Sequence, residues 1–476
     1  MRRYLALAIL VAALPIWSRA DDPSSPRPIP LTRPEMKKYI ENMKARQPRI
    51  PLPELTAEEK EKLGERGGGY EGRVRSLYAP GTSNANGNAP RPADGARPAE
   101  GTRPAGSGRE NEPGMTLDYK FKTELFWIVS RTNNCQYCLG HQEGKLLGAG
   151  MVEDEIACLD GDWSEFTPAE QAAFRLARRL TLAPHRLTDS DIEDVRKHFT
   201  DLQILEMVLS VAGNNSINRW KEGVGVPQSA GGGNFGRRPA AEGTTEAKPE
   251  AHSYLTPTSE KYATKVTVVA PIIKDNVASA LVSATVAKRP ALESRDEVER
   301  SLTLCSVRKP RLPLVDEAKA REVLEDNAPE GTLPAWMRLV ANFPQSGKRL
   351  VATIRNANEK GDLSPLLKAQ AAWIIARQDR AWYATAEAKQ RLEKLGQSVD
   401  QIYALDGKWD DFSPREQALF TIARNLAASP VVLTDAQVAQ ALELAGPRDV
   451  VQMITYTTSR ASFDRITEAA GLASEK

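Results

Sequence analysis

Cys135, Cys138 and His141 stand within seven residues of one another in the run NNCQYCLGH, and Glu124 lies eleven residues ahead of the first cysteine. Two thiols at that spacing can close to a disulfide and reopen, passing two electrons, while an imidazole and a carboxylate can carry the protons that this chemistry moves. TELFWIVSR reads as an apolar helix ending near Thr132, with Asn133 or Asn134 available to cap a second helix that opens with Cys135 and runs toward Gly148. In a helix's first turn, unpaired amides and the positive end of the dipole favour thiolate over thiol. A rotation of about 100° per residue puts Cys138 between Cys135 and His141 on one face. Three other uses of these residues compete. A static disulfide suits an exported protein, although so small a loop restrains the unfolded chain little. Zinc would need a fourth ligand, and no second CxxC supplies one. Covalent haem attachment requires histidine directly after the second cysteine, where this chain has Leu139.

The surroundings of the cysteines occur twice. Residues 117–225 align without a gap on residues 363–471, at a constant offset of 246. IACLDGDWSEFTPAEQAAFRLARRL lies over IYALDGKWDDFSPREQALFTIARNL, and Trp127, Arg131, Met207 and Arg219 fall on Trp373, Arg377, Met453 and Arg465. An internal repeat constrains the fold before any local reading does. Residues shared by both copies are candidates for scaffold, and residues confined to one copy are candidates for chemistry. Cys135, Cys138 and His141 face Ala381, Ala384 and Glu387, so chemistry is expected in the first copy alone. Trp127, Tyr137, Trp163 and Phe166 recur as Trp373, Tyr383, Trp409 and Phe412 and are expected in the core; Arg131, recurring as Arg377, suggests a structural ion pair. His185, His198 and His252 lack a cluster and are expected at the surface. Cys158 and Cys305 remain, and spacing alone leaves open whether they pair.

Both copies read as helical. TPAEQAAFRLARRL has Thr167 as N-cap, Pro168 at the first helical position and Glu170 to complete a capping box, and SPREQALFTIARNL repeats those signals. LTDSDIEDVRKHF and LTDAQVAQALEL start in the same way, with Thr188 or Thr434 as cap, so an all-α bundle is the expected class. PRIPLPELTAEEKEKL at 48–63 resembles PRLPLVDEAKAREVL at 310–324, which gives each copy an upstream helical arm. Residues 263–307 show no evident counterpart, and KVTVVAPIIK fits a strand or a buried helix equally. The expected organisation is an export signal at 1–20, an arm at 21–78, a Pro/Gly-rich linker at 79–114 and the first repeat at 115–227. A second linker at 228–254, a connecting segment at 255–309, an arm at 310–362 and the second repeat at 363–476 follow.

Arg2 and Arg3, a short apolar run and Ser-Arg-Ala before Asp21 describe a cleavable export signal more economically than a membrane span. Cleavage after Ala20 removes three of the 64 basic residues and leaves them balanced against 62 acidic ones, which excludes the basic footprint of a nucleic-acid binder. No membrane span is expected after cleavage, and the mature protein is expected to be secreted or periplasmic.

ELFWIVSRTNNCQYCLGHQEGKLLGAG resembles the active-site segment of the carboxymuconolactone decarboxylase and alkylhydroperoxidase D superfamily, and the resemblance extends over both repeats. It implies two fused all-helical bundles of that kind, the second degenerate. It further implies Cys138 as the attacking thiolate, Cys135 as its resolving partner, and Glu124 and His141 as the acid–base pair. The implied activity is reduction of hydroperoxides by a dithiol, with an external thiol or protein reductant, no bound cofactor or metal, and homo-oligomeric assembly. General thiol-disulfide exchange, or a secreted scaffold with a static disulfide, are the alternatives. Two positions depart from the family pattern: the customary histidine place holds Gln142, one residue after His141, and the customary glutamate place holds Thr123, one residue before Glu124. Glu143 is a further carboxylate nearby.

Overall fold

The computed structural model describes residues 23–57, 69–79, 112–228, 253–270, the backbone of 284–285, and 291–475. The expected signal at 1–20 lies outside the described residues, as do most of both expected linkers and His252. The described chain is all-α. Its strands β1 (Ile29–Pro30) and β2 (Ala284–Thr285) form one short antiparallel pairing. No described helix is long and apolar enough to cross a membrane.

Helices α1 (Arg33–Asn42) and α2 (Tyr70–Tyr78) precede the first repeat. That repeat comprises α3 (Tyr119–Thr132), α4 (Gln136–Gly148), α5 (Glu153–Cys158), α6 (Pro168–Leu182), α7 (Asp189–Arg196) and α8 (Asp201–Val224). After it come α9 (Arg295–Ser306), α10 (Glu317–Leu324), α11 (Ala335–Val340) and α12 (Pro344–Glu359). The second repeat runs through α13 (Pro365–Asp379), α14 (Trp382–Lys394), α15 (Val399–Ala404), α16 (Pro414–Ala427) and α17 (Asp435–Ala469). Gly446, at φ 76°, and Pro447 break α17 into two halves that correspond to α7 and α8. The capping signals act where the sequence puts them: Thr167 with Glu170 and Ser413 with Glu416 close boxes at the starts of α6 and α16.

Trp163 and Phe166 pack in the first copy as Trp409 and Phe412 do in the second. Phe174 meets Trp163 and Phe166 edge-on at 5.6 and 5.0 Å, and Phe420 meets Trp409 and Phe412 edge-on at 5.3 and 5.2 Å. Trp127 and Trp373 are fully buried. Arg131 pairs with Asp160 and Arg377 with Asp406, each at 2.9 Å, at positions separated by the repeat offset.

The stretch at 263–307 ends in a helix, α9, which follows a Ser294–Glu297 capping box as α1 follows a Thr32–Glu35 box, and the two arms align without a gap at an offset of 262. Arg46 pairs with Glu222 at 3.3 Å, and its counterpart Arg308 pairs with Glu468 at 3.0 Å. The arm backbones dock alike: Arg49 donates its amide to the Val224 carbonyl, and Arg311 donates its amide to the Ala470 carbonyl.

The two copies also grip each other reciprocally. Arg49 reaches Asp435 at 2.5 Å and the Leu433 carbonyl, while Arg311 reaches Asp189 at 2.7 Å and the Leu187 carbonyl. Between the long helices, Arg219 donates to the Ala427 carbonyl at 2.8 Å and Arg465 to the Thr181 carbonyl at 3.0 Å. Every pair maps onto the other when the repeats are exchanged, which is the contact pattern of an isologous interface within one chain.

Gly225 ends α8 at φ 71°, and a Cβ there would stand 2.8 Å from the Arg49 backbone nitrogen. Left-handed strain of about 1–2 kcal/mol for a residue with a Cβ therefore adds to displacement of the arm. Gly225→Ala should lower stability by at least about 2 kcal/mol in urea titration; an unchanged midpoint would refute this docking.

Candidate active site

α3 ends at Thr132, Asn133 turns the chain, and Asn134 adopts φ 57° in the left-handed region that asparagine tolerates. The expected asparagine cap is replaced by Cys135 itself, which is the N-cap of α4 and whose Sγ accepts from the Cys138 amide at 3.4 Å. Cys135 and Cys138 are joined in a disulfide, with Cα atoms 5.2 Å apart. Cys135 is fully buried and Cys138 is 2% exposed.

His141 sits one turn further along, its ring stacked on Tyr137 at 4.7 Å. Burial, then the positive charges of Lys221 and Lys145, push its pKa down to about 4, against a hydrogen bond with Gln228 that raises it. At neutral pH the imidazole is therefore uncharged, and it is a weaker base than a free imidazole. It supplies no positive charge to a thiolate, which leaves the start of α4 as the favourable field. Lys221 lies 4.5 Å over the Tyr137 ring and pairs with Glu71 of α2, which also accepts from Trp220 Nε1 at 2.7 Å. The far wall is Gln228 hydrogen-bonded to Tyr254 at 2.6 Å. Gly140 lets that wall approach, since a Cβ there would fall 2.3 Å from Gln228 Nε2.

Glu124 lies on α3 and is 3% exposed; it pairs with Lys120 at 4.0 Å, and Glu170, Asp118 and Glu155 are further charges acting on it. The charges acting most strongly on His141 are Lys221, Lys145 and Glu71. Burial first, opposed by Lys120, pushes the Glu124 pKa up to about 7. A carboxyl held protonated in the folded state and ionised in the unfolded one loses stability as pH rises from about 4.5 to about 7. Glu124→Gln should therefore be more stable than the parent by about 2 kcal/mol at pH 8 and indistinguishable from it at pH 4, in urea unfolding. Equal differences at both values would contradict the placement.

Gln142, at the customary histidine place, is buried, and its Oε1 has no partner among the described residues. Glu143 is not spare. It accepts from both terminal nitrogens of Arg33, at 3.1 Å from Nη2, and from Trp127 Nε1 at 3.3 Å, so it anchors α1 to α4. The sequence hides this, because Arg33 is 110 residues away.

The remaining cysteines are both free. Cys158 lies 3.0 Å from the Tyr262 hydroxyl, and Cys305 is buried near the Leu472 carbonyl. His185 is half-buried rather than at the surface, and burial beside Arg380 and Arg186 lowers its pKa to about 4; His198 is exposed. No group of three or more metal-ligating side chains occurs among the described residues.

No protein-family model matches the chain. A relative in Bacillus subtilis (strain 168), the uncharacterized protein YdfG, is 33% identical over 96 residues, which cover 19% of this chain and 63% of that protein.

Proposed function

We propose that this chain is an exported thiol-dependent peroxidase of the carboxymuconolactone decarboxylase and alkylhydroperoxidase D-like superfamily, built of two fused helical bundles of which only the first does chemistry. The observation that carries the reading is the closed Cys135–Cys138 pair at the start of α4 beside a neutral His141, at positions where the second copy has Ala381, Ala384 and Glu387. Cys138 thiolate attacks the distal oxygen of a hydroperoxide. The O–O bond breaks, an alcohol or water leaves after protonation, and Cys138 becomes a sulfenic acid. Cys135 then attacks the Cys138 sulfur, water leaves, and the disulfide forms. Two electrons and two protons from an external thiol or protein reductant reopen it. His141 is the base that takes the thiol proton, and Glu124 is the acid, whose pKa of about 7 lets it exchange protons at neutral pH.

Burial of both sulfurs favours a small oxidant over a folded protein's disulfide, because in-line attack on a sulfur needs access along the S–S axis. It equally favours a second reading, a static disulfide in a non-catalytic scaffold. Mixing the reduced protein with hydrogen peroxide, and separately with a protein disulfide, separates these. Faster oxidation by peroxide is expected; faster oxidation by the protein disulfide would favour thiol-disulfide exchange, and a pair that resists dithiothreitol in the native protein would favour the scaffold.

A further inference from the structure

We infer that the second copy holds the redox turn of the first in its working geometry, through the hydroxyl of Ser429; the inference rests on the dithiol reading above. Ser429 belongs to the turn after α16, in the second repeat, yet its Oγ lies 3.1 Å from Asn133 Oδ1, two residues before Cys135. Arg219 Nη2 donates to the same Oγ at 2.7 Å and Arg465 Nη2 at 3.1 Å. A hydroxyl has one proton and two acceptor positions. With both acceptor positions filled by guanidinium groups, the proton is directed to Asn133 Oδ1. That fixes the Asn133 amide with its nitrogen toward Asn215 Oδ1 at 2.8 Å and Asn218 Oδ1 at 3.2 Å. Asn133 is fully buried, so no solvent replaces a lost partner.

The arrangement departs from the repeat symmetry where the chemistry does. Ser429 corresponds to Ala183, and Asn133 corresponds to Asp379, which pairs with Arg465 at 2.8 Å inside the second copy. The turn before Ala381 is thus held by an ion pair of its own copy. The turn before Cys135 takes its hydroxyl from the other copy. Ser429 touches neither sulfur and is a positioning residue.

Releasing Asn133 loosens the turn that keeps the two thiols within bonding reach, so the open dithiol gains on the closed disulfide. The test equilibrates the full mature chain in dithiothreitol redox buffers and counts thiols on the Cys135–Cys138 peptide after rapid alkylation. Ser429→Val should shift the dithiol-to-disulfide ratio about fivefold toward dithiol, the factor one neutral hydrogen bond is worth. Ser429→Thr, which restores the hydroxyl in a side chain of the same shape, should match the parent. Asn133→Ala probes the other end of the bond, should shift the ratio equally, and should leave no further shift for Ser429→Val in the double variant. A parental ratio in Ser429→Val or Asn133→Ala, additive shifts in the double variant, or a pair that never opens in the parent would overturn the inference. A normal set of shifts in a protein inert to peroxide would overturn the peroxidase reading and leave the positioning role standing.

Discussion

Cys138→Ser is expected to abolish peroxide consumption, whereas Cys135→Ser is expected to consume one equivalent and stop as a trapped sulfenic acid or mixed disulfide. The asymmetry is the one the family resemblance implies, with Cys138 as the attacking sulfur and Cys135 as its resolving partner; His141 follows Cys138 by three residues. Trapping the sulfenic acid with a dimedone-type probe and mass spectrometry reads both variants. Full activity without Cys138, or a trapped species on Cys135 instead, would reverse the roles. His141→Ala should lower turnover at least about tenfold if the imidazole is the base. Because its pKa lies near 4, the acid limb attributable to it should fall near pH 4 and not near pH 6.5.

Trp373→Ala should cost about 3–5 kcal/mol, the range for loss of a fully buried large aromatic. Its indole fills the core of the second copy and donates to Asp406 at 2.8 Å, leaving that carboxylate with Arg377 as its remaining partner. Glu387→Gln, at the place that faces His141, would be silent if the second copy were inert packing. It is instead expected to destabilise the fold by about 2–3 kcal/mol, because Glu387 pairs with the buried Arg460 at 2.6 Å and is itself partly solvated. Arg460 Nε and Nη1 have no hydrogen-bond partner among the described residues, so the Glu387 carboxylate is the acceptor that the buried guanidinium would lose. Thermal or urea unfolding gives both values. Specific peroxidase activity per folded molecule should be unchanged in Glu387→Gln, and a large drop at parental stability would place chemistry in the second copy.

The helices around the site were legible because their signals are local. Capping boxes at Thr167, Ser413, Thr188 and Thr434 form where spacing places them, and the recurrence of Trp127 as Trp373 marked scaffold correctly. The arm helix α9 escaped because its equivalence with α1 runs at an offset of 262 residues while the repeats run at 246. Contacts made across the fold were also hidden: nothing near Glu143 in sequence announces Arg33, and nothing near Asn133 announces Ser429.

Single-turnover oxidation of the reduced protein by one equivalent of hydrogen peroxide tests the central claim most directly, with thiols counted peptide by peptide. The account predicts that Cys135 and Cys138 together lose two hydrogens and close their bond, while Cys158 and Cys305 keep their thiols and dithiothreitol restores the starting state. Cys135 and Cys138 thiols left intact while peroxide persists, or oxidation falling first on Cys158, would contradict it.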